Sequence, residues 1–275
     1  MHKSIGPEDY REFQVFLERS CGIVLGDNKH YLVTSRLSRL LDEFRLPSLG
    51  DLVRGLRSDV GSRLRERVVE AMTTNETLWF RDGFPFEILK QLILVEFSQR
   101  ATGPIRIWSA ACSSGQEPYS ISMSVQEYLA NRPGGLRGEV QITGTDISPA
   151  MLAEARAARY DAAAMARGLS PERRQRFFVP HGDQWEVRPE IRARVAFRDI
   201  NLLQSYALLG RFDVIFCRNV LIYFSPQSKQ DILTRMAQAL NPGGYLFLGA
   251  SESVASHSAA FEMIRASAGL VYRRR

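Results

Sequence analysis

The chain is poor in the residues from which disulfide frameworks and metal sites are built. Its 275 residues include three cysteines, Cys21, Cys112 and Cys217, an odd number at wide spacing, with no disulfide framework and no CxxC metal pair. Its four histidines, His2, His30, His181 and His257, are equally scattered, so no structural metal is expected. No apolar run reaches the ~18 residues of a membrane span, and no charged, apolar, small-residue leader opens the chain. The expected location is therefore the cytoplasm. A GxGxxG fingerprint is missing too, which argues against a nicotinamide oxidoreductase. Hydrophobic content of 45% without low-complexity tracts predicts an ordinary folded protein, either one large domain or two unequal ones. The formal net charge of +6 suggests an anionic partner, and nucleic acid, a membrane surface or an acidic protein would all satisfy it.

The first seventy or so residues read as helices. Glu8 to Arg19 follows Pro7, which suits a first helical turn, and carries Phe13, Phe16 and Leu17 on one side. Tyr31 to Phe44 repeats the pattern with Leu32, Leu37, Leu40 and Leu41, and Leu49 to Leu56 and Ser62 to Met72 complete a small bundle. Arginines 36, 39, 54, 57, 63, 65 and 67 form either a solvated, locally paired surface or a docking face for acidic partner helices. Then comes Asn75-Glu76-Thr77-Leu78-Trp79-Phe80-Arg81, a junction before the helix expected at Phe84 to Phe97. Junctions are frequent ligand sites, although Asn75 or Thr77 could cap a helix and Trp79-Phe80 could serve packing alone.

From Ile105 the chain alternates strand and helix. Ile105 to Trp108 is of strand type and breaks into the small residues Ser109 to Gly115, after which Glu117 to Leu129 is helix-compatible. Strand, tight turn and helix start leave free backbone N–H groups at the turn, although such turns are often only packing devices. Val140 to Asp146 is a second strand ending in an acid, about one βαβ length further on, where a carboxylate can accept both hydroxyl protons of a ribose. Asp146 or Ser148 could equally N-cap the helix expected at Pro149 to Ala158. Ser170 to Phe197 reads as a small insertion: a basic helix at 171–178, a turn at Pro180 to Asp183, and brief strands at Trp185 to Val187 and Val195 to Phe197. Asn201 follows that last extended run. Phe212 to Phe224 is the most apolar strand, as expected for the centre of a parallel sheet. Ser228 to Leu240 is a helix, Asn241 to Gly244 a turn, Tyr245 to Gly249 a strand, and the segments Val254 to Ile264 and Leu270 to Tyr272 close the pattern. The alternation predicts an α/β, Rossmann-like doubly wound sheet behind an all-α amino-terminal domain.

Four separated motifs, in order, carry a resemblance. Asn75 to Arg81, the Ala110 to Tyr119 turn, Thr145-Asp146-Ile147-Ser148, and Phe216-Cys217-Arg218-Asn219-Val220-Leu221-Ile222-Tyr223-Phe224 together resemble the CheR family, chemotaxis receptor glutamate methyltransferases that use S-adenosylmethionine. The similarity runs over nearly the whole chain. It implies a receptor-recognition domain at 1–75, a linker and junction helix at 76–98, and an S-adenosylmethionine methyltransferase domain at 99–275 with a small antiparallel β-subdomain at about 175–197. It further implies cofactor contacts at Asn75, Thr77, Arg81, Glu117, Asp146, Asn201, Leu202, Arg218 and Asn219. Arg81 and Tyr223 match the residues expected beside the transferred methyl. The implied partner is the cytoplasmic helical region of methyl-accepting chemotaxis receptors, approached by a monomer that reaches the membrane only through them and binds no nucleic acid. The product cofactor is S-adenosylhomocysteine. The insertion's loop, Pro180 to Trp185, is shorter than in relatives that tether to a receptor's carboxyl-terminal peptide, so methylation without a tether is expected.

The chemistry agrees with the residues. A glutamate side chain, with an ordinary pKa of about 4.3, is already the nucleophile at neutral pH and needs no general base. Arg81 and Tyr223 are expected to orient the carboxylate. Two other readings stand beside this one: a cofactor-binding regulator without turnover, and a nucleic-acid methyltransferase. The latter lacks its usual Asn or Asp followed by two prolines and an aromatic, since the strand runs Cys217-Arg218-Asn219-Val220. Cys217, inside so apolar a run, reads as core rather than as a base-attacking nucleophile.

Overall fold

A computed structural model describes residues 5–57, 62–100, 103–254 and 259–275; His2, His257 and part of the segment 254–264 lie outside them. The chain divides into two compact units, Met1–Thr74 with Tyr223–Ser228, and Asn75–Ile222 with Lys229–Arg275. No helix among the described residues is long and apolar enough to cross a membrane.

In the first unit four helices, Pro7–Cys21, His30–Glu43, Leu49–Gly55 and Ser62–Met72, each bury one apolar stripe. Tyr10, Phe13 and Leu17 are spaced for one face of the first helix, and Val33, Leu37, Leu40 and Leu41 for one face of the second. Phe16 and Leu32, expected inward, are half-buried at the margins of these stripes. The arginines are largely engaged locally. Arg36 donates to the carbonyls of Met72 and Thr73, closing the end of the fourth helix. Arg65 reaches the Leu56 carbonyl, Arg54 pairs with Asp51, Arg57 with Glu12, and Arg67 with Glu43 and Glu70.

The second unit is built on a seven-stranded sheet. Its strands are β1 (Ile105–Ala110), β2 (Val140–Asp146), β6 (Val195–Asp199), β7 (Phe212–Cys217), β8 (Leu240–Leu248), β9 (Phe261–Ala266) and β10 (Gly269–Arg274), while β3 (Arg159–Tyr160), β4 (Phe178–His181) and β5 (Gln184–Val187) form a separate three-stranded sheet. The large sheet runs β6-β2-β1-β7-β8-β10-β9, with its first five strands parallel and β10 antiparallel to both neighbours. From β1 the chain first winds outward on one side through β2 and β6, then returns to β7 on the other. The order therefore reverses between β1 and β7, and the crevice outside the strands' carboxyl ends at such a point is where α/β sheets bind ligands. The apolar runs of β1 and β7 are explained by burial on both faces.

The structure redraws four boundaries read from the sequence. Val195–Asp199 is not part of the small insertion; it is the edge strand of the large sheet, parallel to β2 from Ile142↔Val195 to Asp146↔Asp199, with the Phe197 ring edge-on to Tyr119 at 5.7 Å. The third strand of the small sheet is instead Arg159–Tyr160, paired with Glu186 and Trp185. The apolar run from Phe212 stops being a strand at Cys217, because Asn219 takes a left-handed conformation (φ 58) and Leu221–Tyr223 close a 3-10 turn. Asn241 to Gly244, expected as a turn, lies within β8, whose pairing with β7 shifts register between Phe212 and Val214 to accommodate it.

Candidate active site

The turn after β1 is held in a shape that ordinary residues adopt only under constraint. Ala111 (φ 56), Ser113 (φ 51) and Gly115 (φ 93) are all left-handed, and left-handed non-glycine residues cluster where function demands them. At Gly115 the backbone also passes close to the helix Pro149–Ala157: a Cβ there would lie 2.9 Å from that of Ala155. Gly115 caps the helix Gln116–Asn131, whose first N–H groups open at the carboxyl edge of the sheet. The loop is fastened from behind by Tyr160, whose hydroxyl donates to the Ser114 carbonyl (2.7 Å), and by Ser113 Oγ, which donates to the Asn75 carbonyl (3.0 Å).

Asp146, at the end of β2, is buried and accepts backbone N–H groups from Ser113 (2.7 Å) and Ser148 (2.9 Å). Burial pushes its carboxyl above the ordinary aspartate value, and these amides pull part of the way back. The cap of the following helix is Ser148, whose hydroxyl accepts from Met151 N–H, so Asp146 organises the turn instead. The Ile200 N–H donates to the Asp146 carbonyl, bringing Asn201 and Leu202 to the same edge. Asn201 Oδ1 accepts from Leu203 N–H, and the Leu202 carbonyl accepts from the Tyr206 hydroxyl.

Glu117, in the first turn of its helix, accepts from Ser109 Oγ (2.8 Å) and from Arg218 Nη1 (2.9 Å). The Arg218 side chain is 1% exposed, and its Nη2 donates to Asp82 Oδ2 (2.6 Å) and to the Arg81 carbonyl (2.9 Å). One guanidinium thus ties the end of β7, the helix start and the junction segment together through Nη1 and Nη2, while its buried Nε–H has no partner among the described residues. In that segment Phe80, Asp82 and Gly83 are all left-handed. The Trp79 ring is buried edge-on to Tyr160 (4.8 Å) and Phe178 (5.1 Å), and the Trp79 backbone N–H donates to the Arg167 carbonyl. Phe80 N–H donates to Ser120 Oγ, and the Arg173 guanidinium stacks 3.6 Å over the Phe80 ring. Thr77 is half-buried in the same segment, and Arg81 sends one N–H to the Glu76 carbonyl.

Of the residues expected at the site, Asn75, Thr77, Arg81, Glu117, Asp146, Asn201, Leu202, Arg218 and Asn219 belong to the second unit. Tyr223 is grouped with the first unit, where its carbonyl accepts the Val24 N–H. Sequence reasoning missed Glu252, whose carboxylate accepts from the N–H groups of Asn219, Ile222 and Gly249. The sequence shows only an acid three residues past the glycine that follows β8, a pattern too common to single it out. Cys112 and Cys217 are fully buried, and burial pushes both thiols far up, so neither supplies a nucleophile.

Two family descriptions match consecutive parts of the chain: "CheR methyltransferase, all-alpha domain" over residues 8–73 and "CheR methyltransferase, SAM binding domain" over residues 75–270. The chain belongs to the CheR methyltransferase family. It is 53% identical to chemotaxis protein methyltransferase Cher2 of Pseudomonas putida over 98% of this chain and 99% of that protein. It is 56% identical to chemotaxis protein methyltransferase 1 of Pseudomonas aeruginosa over 96% and 97%, and 54% identical to the chemotaxis protein methyltransferase of Vibrio parahaemolyticus over 98% of each. The CheR cofactor is S-adenosylmethionine, and the residues present fit it. A small-residue turn opens backbone N–H groups, an acid closes the next strand, and Asn219 Oδ1 is a buried acceptor with no partner among the described residues.

Proposed function

We propose that this CheR methyltransferase esterifies glutamate side chains in the cytoplasmic helical region of chemotaxis receptors. S-adenosylmethionine supplies an electrophilic methyl on a sulfonium. A receptor carboxylate oxygen forms the new bond to that carbon as the carbon–sulfur bond breaks, leaving S-adenosylhomocysteine and a neutral ester. In this reading Asp146 accepts ribose hydroxyl protons, Asn201 and Leu202 contribute beside it, and Asn75, Thr77, Glu117 and Asn219 contact the rest of the cofactor. Arg218 acts from behind, holding Glu117 and the Arg81 backbone. Arg81 keeps guanidinium N–H groups beyond its one bond to Glu76 and orients the incoming carboxylate, with Tyr223 as the second orienting group. Orientation of this kind accounts for several kcal/mol of a barrier.

The observation that carries this reading is the identity with chemotaxis protein methyltransferases over almost the full length of both chains. The burial of both nearby thiols agrees with it, since a nucleophile already ionised at neutral pH requires no base. The test is incubation with methyl-labelled S-adenosylmethionine and receptor membranes. Label should enter receptor protein and be released by mild base as methanol; base-stable label, or none, contradicts the proposal.

The same reading places the enzyme in the cytoplasm as a monomer, without nucleic acid as substrate and without a peptide tether. Support for the last point is the hairpin of β4 and β5, which pairs His181 with Gln184 across a loop of only Gly182 and Asp183.

A further inference from the structure

Glu252 lies four residues beyond the end of β8 and outside every motif that carries the family likeness. Its Oε2 accepts the N–H groups of Gly249 (2.7 Å) and Asn219 (2.8 Å), its Oε1 accepts that of Ile222 (3.2 Å), and its own N–H donates to the Gly249 carbonyl (2.9 Å). One carboxylate therefore fastens the carboxyl ends of two adjacent central strands to each other. Two of the three amides belong to the stretch that leaves β7, where the backbone has no strand partner to receive them. Asn219 is left-handed there (φ 58), a conformation that asparagine tolerates better than most L-residues and that the bond from its N–H to Glu252 helps to hold. The approach is close enough to require glycine at 249. A Cβ at that position would lie 2.7 Å from Glu252 Oε2 and 2.9 Å from Asn219 N. The buried Oδ1 of Asn219 is, among the described residues, an acceptor without a donor.

We infer that Glu252 is a positioning residue for methyl transfer, acting through Asn219 to hold the carboxyl end of β7 in the form that receives S-adenosylmethionine. The inference rests on the reading of Asn219 as a cofactor-site residue. A negative charge is suited to the task because three N–H dipoles converge on it, and hydrogen bonds to an ionised acceptor are the stronger kind. Glutamine at 252 offers one oxygen, and its amide would meet one of those N–H groups with a donor.

The test is calorimetry of S-adenosylhomocysteine binding to the full chain, with the melting temperature of each ligand-free variant measured alongside. Glu252→Gln should weaken binding at least tenfold, and so should Asn219→Ala. The double variant should bind no more than about twofold more weakly than the weaker single one, because both changes remove the same arrangement. Gly249→Ala, which displaces the acid without removing it, should reproduce the loss and serves if Glu252→Gln does not fold. Glu252→Gln with unchanged affinity, or with a lowered melting temperature alone, overturns the inference, as do single-variant losses that multiply in the double variant. Normal binding by Asn219→Ala would instead remove Asn219 from the cofactor site, and so separates failure of that reading from failure of the role given to Glu252.

Discussion

At the scale of single residues, the site is a set of charges whose partners are other parts of the site. Arg218 is the clearest case. Its buried guanidinium stands between Glu117 and Asp82, so removing it leaves two carboxylates in a confined space without a counter-charge. Arg218→Met should destabilise the protein by about 3–5 kcal/mol, read from denaturant unfolding; a loss below 1 kcal/mol would show that the triad is solvated. Asp146 behaves differently with pH. Its folded-state pKa is raised, so its contribution to stability is fully present below the ordinary value near 4 and is lost as pH rises through the raised value. Asp146→Asn should abolish that part of the decline and weaken S-adenosylhomocysteine binding about tenfold, both read by melting curves from pH 4 to 7 with and without ligand. A variant that binds normally contradicts the ribose assignment. Tyr223→Phe should slow methyl transfer about tenfold, ~1.4 kcal/mol, and a normal rate removes Tyr223 from the site. That Glu117 opens the helix after β1 and that Asp146 ends β2 was legible from residue type and spacing. Glu252 was not, because an acid that serves backbone amides leaves no periodicity and no paired partner in the sequence.

At the scale of elements, the turn and the insertion depend on close approaches that spacing alone does not encode. Gly115→Ala places a Cβ against Ala155 in a left-handed backbone. It should cost about 1–3 kcal/mol of stability and weaken cofactor binding in step, as measured by unfolding and calorimetry; an unchanged Tm would mean that the turn relaxes freely. The helix Pro171–Phe177 of the insertion is tied to the helix Gln116–Asn131 by Arg173, which donates twice to Glu127, while Lys90 adds a third donor. Burial pushes the Glu127 carboxyl up, but these cations more than reverse it and leave the value lowered. Strands β1 and β7 and the second half of β8 could be found from apolar runs because both their faces are covered. The edge strand Val195–Asp199 was assigned to the wrong sheet because a half-exposed alternating run looks the same in either. Likewise Arg159–Tyr160 is too short to read as a strand at all.

At the scale of the whole chain, the fold class and family were legible because strand and helix alternate and four motifs occur in the right order. The sheet's mixed character was less so, because the antiparallel pair β9 and β10 carries no signal distinct from that of the parallel strands. The net charge of +6 named no partner, and the arginines that seemed its focus are largely engaged with nearby carboxylates and carbonyls. The two-residue hairpin loop predicts that calorimetry with receptor tail peptides will show no tight binding; submicromolar affinity would contradict tether-free methylation. The central claim is a nucleoside pocket at the carboxyl edge of β1, β2 and β7, and a crystal structure with S-adenosylhomocysteine bound tests it most directly. The ribose should lie within hydrogen-bonding distance of Asp146, with the rest of the ligand running past the turn at 111–115 toward Glu117 and Asn219. A ligand seated away from Asp146 and Glu117 would contradict the account.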